Sequence, residues 1–186
     1  MKKTTIGVLV GSLRRDSFSK KIAHILMGMM PEWMDLNIID IGSLALFNQD
    51  FELDGATPPE WETFREAIAA CDGFVFVTPE YNRSFPAVLK NALDVGSRPY
   101  CHNRWSAKPA MVVSVSPGGL GGFGANHHLR QVMTFVNLYV MQQPEVYLGD
   151  VMNVLDKDGA LTNDSTKTFL QSVADSFAGW VQRFAQ

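Results

Sequence analysis

The chain has 186 residues, of which 46% are hydrophobic and 19% are charged, and its formal net charge is -3. These values fit one α/β domain with a sizeable core and leave little room for a second, so we expect a single domain over residues 1–186. The small negative charge, without a Lys/Arg-rich run interleaved with aromatic residues, argues against nucleic acids and anionic membranes as partners.

Strand-like and helix-like segments alternate along the chain. Buried strands are predicted at residues 4–10, 36–41, 73–78, 110–115 and 138–141 with 146–148. Amphipathic helices are predicted at residues 17–30, 60–71, 84–96, 126–136 and 166–184. Near-continuous apolar strands separated by helices indicate a doubly wound parallel sheet that is covered on both faces. Ligands bind such sheets beyond the carboxyl ends of the strands, so the loops after strands one, three and four are candidates.

The first of these loops is GSLRRDSFS, which matches neither GxGxxG nor GxxxxGK[ST]. It contains three hydroxyl and two guanidinium side chains: Ser12, Ser17, Ser19, Arg14 and Arg15. Together with the free N–H groups of a helix N-terminus, this set suits a terminal phosphate dianion. Alternatively, Ser17 only caps the helix, Ser12 turns the chain, and both arginines point into water.

The second loop is TPEYNRSFP, in which Ser84 and Pro86 are a reasonable start signal for the next helix. This leaves Glu80, Tyr81 and Asn82 at the edge of the sheet. This arrangement predicts a loop that presents backbone N–H donors and an aromatic side chain to a flat heterocycle. The alternative is an ordinary connection, with Tyr81 packed on its neighbours and Glu80 solvated.

The third loop, SPGGLGGFGANHH, has five glycines between positions 118 and 124. So many glycines carry a large entropic penalty, which makes sense where a ligand lies against the main chain or where the loop must move. A flexible connector is the alternative, but the position after strand four favours a ligand.

Other features indicate a cytoplasmic protein without a metal. After MKKTT, the polar Ser12 and Arg14 come too soon for the apolar core of a signal peptide. Cys71 and Cys101 have no CxxC or metal spacing and are expected to be reduced thiols. Adjacent histidines such as those of ANHHL diverge by about 100° on a helix, so they are not expected to share a ligand.

Taken together, GSLRRDS, TPEYN with the following SFPAVLKNALD, the glycine-rich loop and HLRQ resemble the NAD(P)H-dependent FMN reductases, especially their bacterial chromate/quinone reductase branch. The resemblance covers most of the chain. It implies a flavodoxin-like three-layer sandwich with a five-stranded parallel sheet of order 2-1-3-4-5. It also implies non-covalent FMN, NADPH or NADH as electron donor, and assembly as a homodimer or homotetramer.

The resemblance further implies where FMN lies. Its 5′-phosphate would be held by backbone amides of the first loop and by Ser12, Arg14, Ser17 and Ser19. Its isoalloxazine would be lined by Pro79, Glu80, Tyr81 and Asn82, and flanked on the pyrimidine side by Ser116, Gly118 and Gly119. No catalytic side chain is expected, because the redox chemistry belongs to the flavin.

Two arginines are candidate substrate-binding residues. Arg83, next to the expected flavin, would attract NADPH phosphates or an anionic acceptor such as chromate. Arg104, in SRPYCHNRW, offers similar charge. For Arg83 the alternative is a solvated side chain or a contact between subunits.

The implied function is an NAD(P)H oxidoreductase that reduces quinones, and also chromate or free flavin, by ping-pong hydride transfer through bound FMN. One rival is a flavodoxin-type electron carrier with little pyridine-nucleotide activity. Arginine in the first loop and the modest net charge of -3 argue against this rival. A homologue that only senses FMN is a second rival.

Overall fold

A single parallel sheet determines where every loop lies. The computed structural model describes residues 3–184, so residues 1, 2, 185 and 186 of the expected domain lie outside the described part of the chain. The strands are β1 (Thr4–Val10), β2 (Met34–Ile38), β3 (Gly73–Pro79), β4 (Pro109–Val115), β5 (Tyr139–Val140) and β6 (Val146–Leu148). All neighbours pair in parallel, in the order β2-β1-β3-β4-β5, with β6 also beside β4. The predicted strand order is confirmed.

Two short strands share the edge position beside β4. β5 pairs with the start of β4 at Pro109 and Ala110, whereas β6 pairs with the last three residues of β4. The segment between them contains Pro144, which has no N–H group to donate to a strand ladder. The two apolar pieces predicted at 138–141 and 146–148 are therefore separate strands.

Helices cover both faces of the sheet. They are α1 (Phe18–Met29), α2 (Asp50–Leu53), α3 (Pro59–Ala69), α4 (Ala87–Gly96), α5 (Phe123–Phe135), α6 (Val151–Val154) and α7 (Asp164–Gln182). The five longer helices correspond to the five predicted ones, and the four-residue α2 and α6 were not predicted. No helix within residues 3–184 is long and apolar enough to cross a membrane.

The alternation of side chains along each strand divides the core into two layers. In β3, Val75 and Val77 pack with α1 and α7, whereas Phe74 and Phe76 pack with α3, α4 and α5. Both layers are apolar, which explains why the inner strands have no polar face in the sequence. The result is the predicted three-layer sandwich.

Three predicted boundaries are wrong by three residues, each for a local reason, and the others differ by at most two. β2 ends at Ile38 rather than at residue 41, because the chain then leaves the sheet and buries Ile41 in the layer of α3, α4 and α5. α4 begins at Ala87 rather than at Ser84, because Ser84 pairs with Tyr81 in a tight turn. α5 begins at Phe123, directly after a left-handed Gly122, rather than at residue 126.

Two helical glycines give a paired test of the packing in the layer of α3, α4 and α5. A Cβ on Gly96 would lie 2.6 Å from Trp105 Nε1, whereas a Cβ on Gly179 would meet nothing within 4 Å. We expect Gly96→Ala to destabilise the fold by about 1–3 kcal/mol through overpacking. Gly179→Ala should stabilise it by up to about 1 kcal/mol through helix propensity. Denaturant unfolding of both variants measures this, and shifts of the same sign would contradict it.

Candidate functional site: three loops at the carboxyl edge of the sheet

The loops after β1, β3 and β4 meet at one edge, as the parallel topology requires. The Gly11 N–H group donates to Val77 O at 2.9 Å, and Pro79 is in register with Val115. We call these segments the first loop (residues 11–17), the hairpin (residues 81–84) and the glycine loop (residues 116–122). A fourth segment, after β6, joins them, since the Asp150 N–H group contacts Gly118 O at 3.4 Å. This fourth contributor was not predicted.

The first loop presents a row of unused donors. Within residues 3–184, the N–H groups of residues 12–16, 18 and 19 donate no hydrogen bond. Ser17 is the N-cap of α1, and its Oγ accepts from Lys20 N–H at 3.1 Å, so the predicted cap is confirmed. Ser19 is only 2% exposed and makes no side-chain hydrogen bond within the described residues. Free N–H groups and an unused hydroxyl at a helix start form an anion cradle.

The starts of α1 and α4 have no acid in the first turn, and α1 is the one with two arginines that form no ion pair within residues 3–184. The five long helices, α1, α3, α4, α5 and α7, begin on this side of the sheet, where their dipoles are positive, and α7 already has Asp164 in its first turn. α3 already has Glu60 and Glu62 in its first turn, and α4 follows Pro86. The N–H group of Ala125, at the start of α5, donates to the Glu80 carboxylate at 3.0 Å. α1 has no acid in its first turn.

Two exposed arginines add positive charge beside α1. Arg14 and Arg15 form no ion pair within residues 3–184, and Asp16 offsets part of their charge. Arg14 also lines a cleft of about 380 Å³ together with Ser12, between the carboxyl ends of β1 and β2. Ser12 and Arg14 thus share this cleft, and Ser17 and Ser19 lie at the start of α1 that follows them.

The hairpin is a two-residue turn with two left-handed residues. Tyr81 and Ser84 exchange backbone hydrogen bonds of 2.8 and 3.0 Å, and between them Asn82 and Arg83 have φ values of 52° and 67°. Such a turn favours Asn at its first central position but Gly at its second. The N–H groups of Asn82 and Arg83 have no partner within the described residues, and Tyr81 is 47% exposed. The hairpin thus offers free donors beside an accessible aromatic ring.

Glu80 fixes the hairpin against α5. Its carboxylate accepts hydrogen bonds from Ala125 N–H at 3.0 Å and from Arg83 Nη1 at 3.2 Å, and its side chain is 13% exposed. A second link joins Ser84 Oγ to His128 Nδ1 at 2.8 Å. The alternative hypothesis of a solvated Glu80 is therefore wrong. Its side chain positions the loop, which leaves only its main chain for a bound ring.

The glycines of the third loop fall into two groups. A Cβ on Gly121 would lie 2.6 Å from the backbone carbon of Tyr147, and one on Gly124 would lie 2.9 Å from Arg83 O, so close packing accounts for both glycines. A Cβ on Gly118 or Gly119 would meet only Ser116 Oγ at 3.7 Å or Asp150 Oδ2 at 3.6 Å. Packing within the chain does not require glycine at these two positions. Both residues are exposed, and we call the open surface above them the slot.

A buried polar network anchors the glycine loop from behind. Ser114 Oγ donates to Gly121 O at 2.7 Å, and Asn126 Nδ2 donates to Ser114 Oγ at 3.3 Å. Arg130 Nε in turn donates to Asn126 Oδ1 at 2.9 Å, and burial lowers the pKa of this arginine. Nearby, burial followed by the neighbouring Glu145 carboxylate raises the pKa of Tyr147 to about 12. These contacts hold the end of the loop while leaving Gly118 and Gly119 accessible.

Arg104 lies apart from this site. Its N–H group donates to Gly96 O at 3.0 Å, at the end of α4 and hence at the opposite edge of the sheet. Its charge contributes to the lowered pKa of Lys108, whose first cause is burial. Lys108 Nζ donates to Ile68 O at the end of α3, which confirms that this group of residues faces away from the three loops. The predicted role of Arg104 gains no support from its position.

The two adjacent histidines point to different partners. His128 contacts Ser84, whereas His127 Nε2 lies 2.8 Å from Tyr147 Oη. Within residues 3–184, no three His, Cys, Asp or Glu side chains are grouped so that they could hold a metal ion.

The fold and the site define a class: doubly wound α/β proteins with a phosphate-type cradle at the first helix and an open slot beside a glycine loop. Residues 4–153 match the family model of the NADPH-dependent FMN reductases. The chain belongs to this family, so the resemblance found in the sequence is confirmed.

Relatives of nearly equal length support the assignment. The chain is 50% identical over 178 residues to a quinone reductase of Pseudomonas putida, covering 96% of this chain and 95% of the relative. It is 42% identical over 177 residues to a 2-hydroxy-1,4-benzoquinone reductase of a Burkholderia species, covering 95% and 96% of the two chains. The solved structure of FerB, a flavoenzyme NAD(P)H:(acceptor) oxidoreductase from Paracoccus denitrificans, superimposes with a TM-score of 0.91. FerB is 34% identical to this chain, and the superposition covers 98% of this chain and 100% of FerB.

The two groups of glycines give opposite predictions. Gly119→Ala should leave the thermal midpoint of the apoprotein nearly unchanged but weaken FMN binding about tenfold or more, because its Cβ enters the open slot. Gly121→Ala should destabilise the apoprotein by about 1–3 kcal/mol, because it introduces both a left-handed alanine and a backbone clash. Thermal unfolding and calorimetric titration with FMN test both variants. Equal effects on unfolding would contradict this division.

Proposed function

We propose that this chain binds one FMN non-covalently across the three loops and uses NADPH or NADH to reduce quinones. The observation that carries this proposal is the acid-free start of α1, with its unused N–H groups, at the same edge as the open slot over Gly118 and Gly119. A phosphate at one end and a flat ring at the other match the two ends of FMN. The relatives named as quinone reductases supply the reaction class.

The phosphate end would be held mainly by backbone. The N–H groups of the first loop and the hydroxyls of Ser12, Ser17 and Ser19 are donors at the positive end of α1, and Arg14 supplies a full charge. Ser17 and Ser19 are each only 2% exposed, so a phosphate there would displace little water from these two residues. Arg15 is not required in this arrangement.

The ring end would lie between the hairpin and the glycine loop. Pro79, Tyr81 and the main chain of Glu80 and Asn82 form one wall, and the unused N–H groups of the turn can donate to a polar ring edge. Ser116, Gly118 and Gly119 form the other wall. When bound, FMN supplies the chemistry, accepting a hydride from the dihydronicotinamide and passing electrons to the acceptor. The chain itself needs only to bind, orient and expose the ring.

Donor and acceptor would use the same open face in turn, which is the expected ping-pong order. Acceptors would be small molecules, quinones first and then chromate or free flavin. The electron-carrier hypothesis has no specific support, since the 15% identity to a flavodoxin of Pseudomonas aeruginosa concerns the fold alone. The quinone-reductase relatives favour an enzyme over a carrier or a sensor.

We extend the proposal to location and assembly. The chain would act in the cytoplasm as one FMN-binding domain over residues 1–186, assembled as a homodimer or homotetramer. Assembly is supported by large apolar side chains left exposed in the described chain, among them Leu46 at 75%, Leu53 at 73% and Phe135 at 86%. An interface would have to join such side chains into one contiguous apolar patch.

The phosphate cradle can be tested by comparing two ligands. FMN should bind at least about a hundredfold more tightly than riboflavin, a difference of about 2.7 kcal/mol, because only FMN engages the charge-assisted donors of the first loop. Ser19→Ala should weaken FMN by about tenfold and leave riboflavin unchanged. Fluorescence quenching titrations measure both constants. Equal affinities of the wild type for FMN and riboflavin would rule out this cradle.

The reaction is tested by steady-state kinetics of the FMN-loaded protein. We expect oxidation of NADPH or NADH that depends on an added benzoquinone, with parallel lines in double-reciprocal plots, because the donor leaves before the acceptor binds. Tyr139→Ala, which removes a half-exposed ring outside the three loops, is the control and should keep the rate. Flavin-loaded protein without turnover would reject the proposed activity.

A further inference from the structure

Arg83 occupies a backbone conformation that does not favour it. It is the second central residue of the hairpin, with a φ of 67°, where glycine is the preferred residue. A left-handed arginine is strained, and strain of this kind at a site suggests that the side chain is used. Glycine would form the same turn without the strain, so turn formation does not explain an arginine here.

The guanidinium is held in place but mostly unused. Its Nη1 donates to Glu80 Oε1 at 3.2 Å, and 74% of the side chain is exposed. Guanidinium has five N–H donors, and within residues 3–184 the others have no partner. Glu80 is itself fixed by Ala125 N–H, so the carboxylate is an anchored tether. Because an exposed pair of this kind is weak, an incoming anion can compete for the guanidinium.

The location narrows the choice of anion. A Cβ on Gly124 would lie 2.9 Å from Arg83 O, so the turn rests on the first turn of α5, directly after the glycine loop. Arg83 therefore lies at the ring end of the proposed FMN site, whereas Arg14 lies at the phosphate end. A neutral quinone offers this cation carbonyl oxygens that accept hydrogen bonds but no negative charge, whereas a phosphate offers both. A nicotinamide dinucleotide must place its ring on the flavin while its phosphates extend toward the rim.

We infer that Arg83 binds a phosphate group of the reduced nicotinamide dinucleotide and so selects phosphorylated donors over uncharged dihydronicotinamides. This inference rests on the proposed function. The phosphate is either the diphosphate, present in both NADH and NADPH, or the 2′-phosphate, present only in NADPH. Both present the same chemistry to a guanidinium, which can bind phosphate oxygens in pairs.

The test compares three donors in the reductive half-reaction, followed by stopped-flow absorbance of the bound flavin. The donors are NADPH, NADH and the uncharged 1-benzyl-1,4-dihydronicotinamide. For Arg83→Gln we expect a loss of about tenfold or more in the second-order rate constant, through a weaker apparent Kd for the donor. A loss with both dinucleotides identifies the diphosphate, and a loss with NADPH alone identifies the 2′-phosphate. The uncharged donor should react as it does with the wild type.

Two further variants separate binding from folding. Arg83→Lys keeps the charge and should recover part of the loss. Arg83→Gly removes the charge but suits the turn, so its thermal midpoint should not fall. Its second-order rate constants with the dinucleotides should fall as they do in Arg83→Gln. Lys157→Gln is the matched control, since it removes one exposed positive charge in the connection between α6 and α7, outside the three loops. It should leave all three donors unchanged.

The inference can fail without the proposed function failing. If the wild type binds FMN and oxidises NADPH but Arg83→Gln is unchanged, or slows all three donors equally, the phosphate role is overturned. A loss confined to reoxidation by chromate or a sulfonated quinone would overturn it as well, because the anion would then be the acceptor. A wild type that oxidises neither dinucleotide overturns the proposed function itself.

Discussion

The parallel direction of all the strands is the constraint on which the site depends. Because β1, β3 and β4 end at one edge, the helices that follow β1, β3 and β4 begin there, and α3 does as well, with their positive dipole ends side by side. The helix dipoles therefore favour an anion at this edge in a chain whose net charge is -3. Glu60, Glu62 and Glu80 lie at the starts of α3 and α5. Of the starts without an acid, α1 is the one with two arginines that form no ion pair within residues 3–184.

Glu80 has a second consequence, because it joins two loops that must move together. Its carboxylate connects the hairpin to the first turn of α5, and the Ser84 contact to His128 adds a second point of attachment. Two loops fixed to one helix keep the width of the slot between them constant. A slot of constant width reduces the entropy lost when a flat ring is bound, which is the advantage of a preorganised site.

The sequence was sufficient for the sheet because the strand and helix periods are local. The runs at β1, β3 and β4 are apolar on both faces, and only a covered parallel sheet accommodates them. The contacts that shape the site are not local, since Ala125 and Glu80 are 45 residues apart. No periodicity reports such a pair, so the buried role of Glu80 could not be foreseen. The tight turn before α4 was missed because Arg83 replaces the glycine that would signal it.

The position of Arg104 shows why motif proximity in sequence can mislead. It follows the hairpin by about twenty residues, but α4 lies between them, and a ten-residue helix advances about 15 Å. That distance carries the chain from the ligand edge to the opposite edge of the sheet. In an alternating α/β chain, residues meet at the site only when they follow a strand. Asp150, which follows β6 and was overlooked, satisfies this condition, whereas Arg104 does not.

Left-handed backbone occurs at both edges of the sheet, since Ala107 and Asn137 lie just before β4 and β5 at the opposite edge. Of the six non-glycine residues with positive φ among residues 3–184, Asn82, Arg83 and Asp150 lie in segments that border the slot. Each bends the chain sharply where it must turn back toward the sheet, and the tight core beneath keeps these turns from relaxing. Packing in the two core layers thus offsets the backbone strain of these turns. A ligand that contacts these turns would meet donors already held in place, because the folded chain has fixed them before binding.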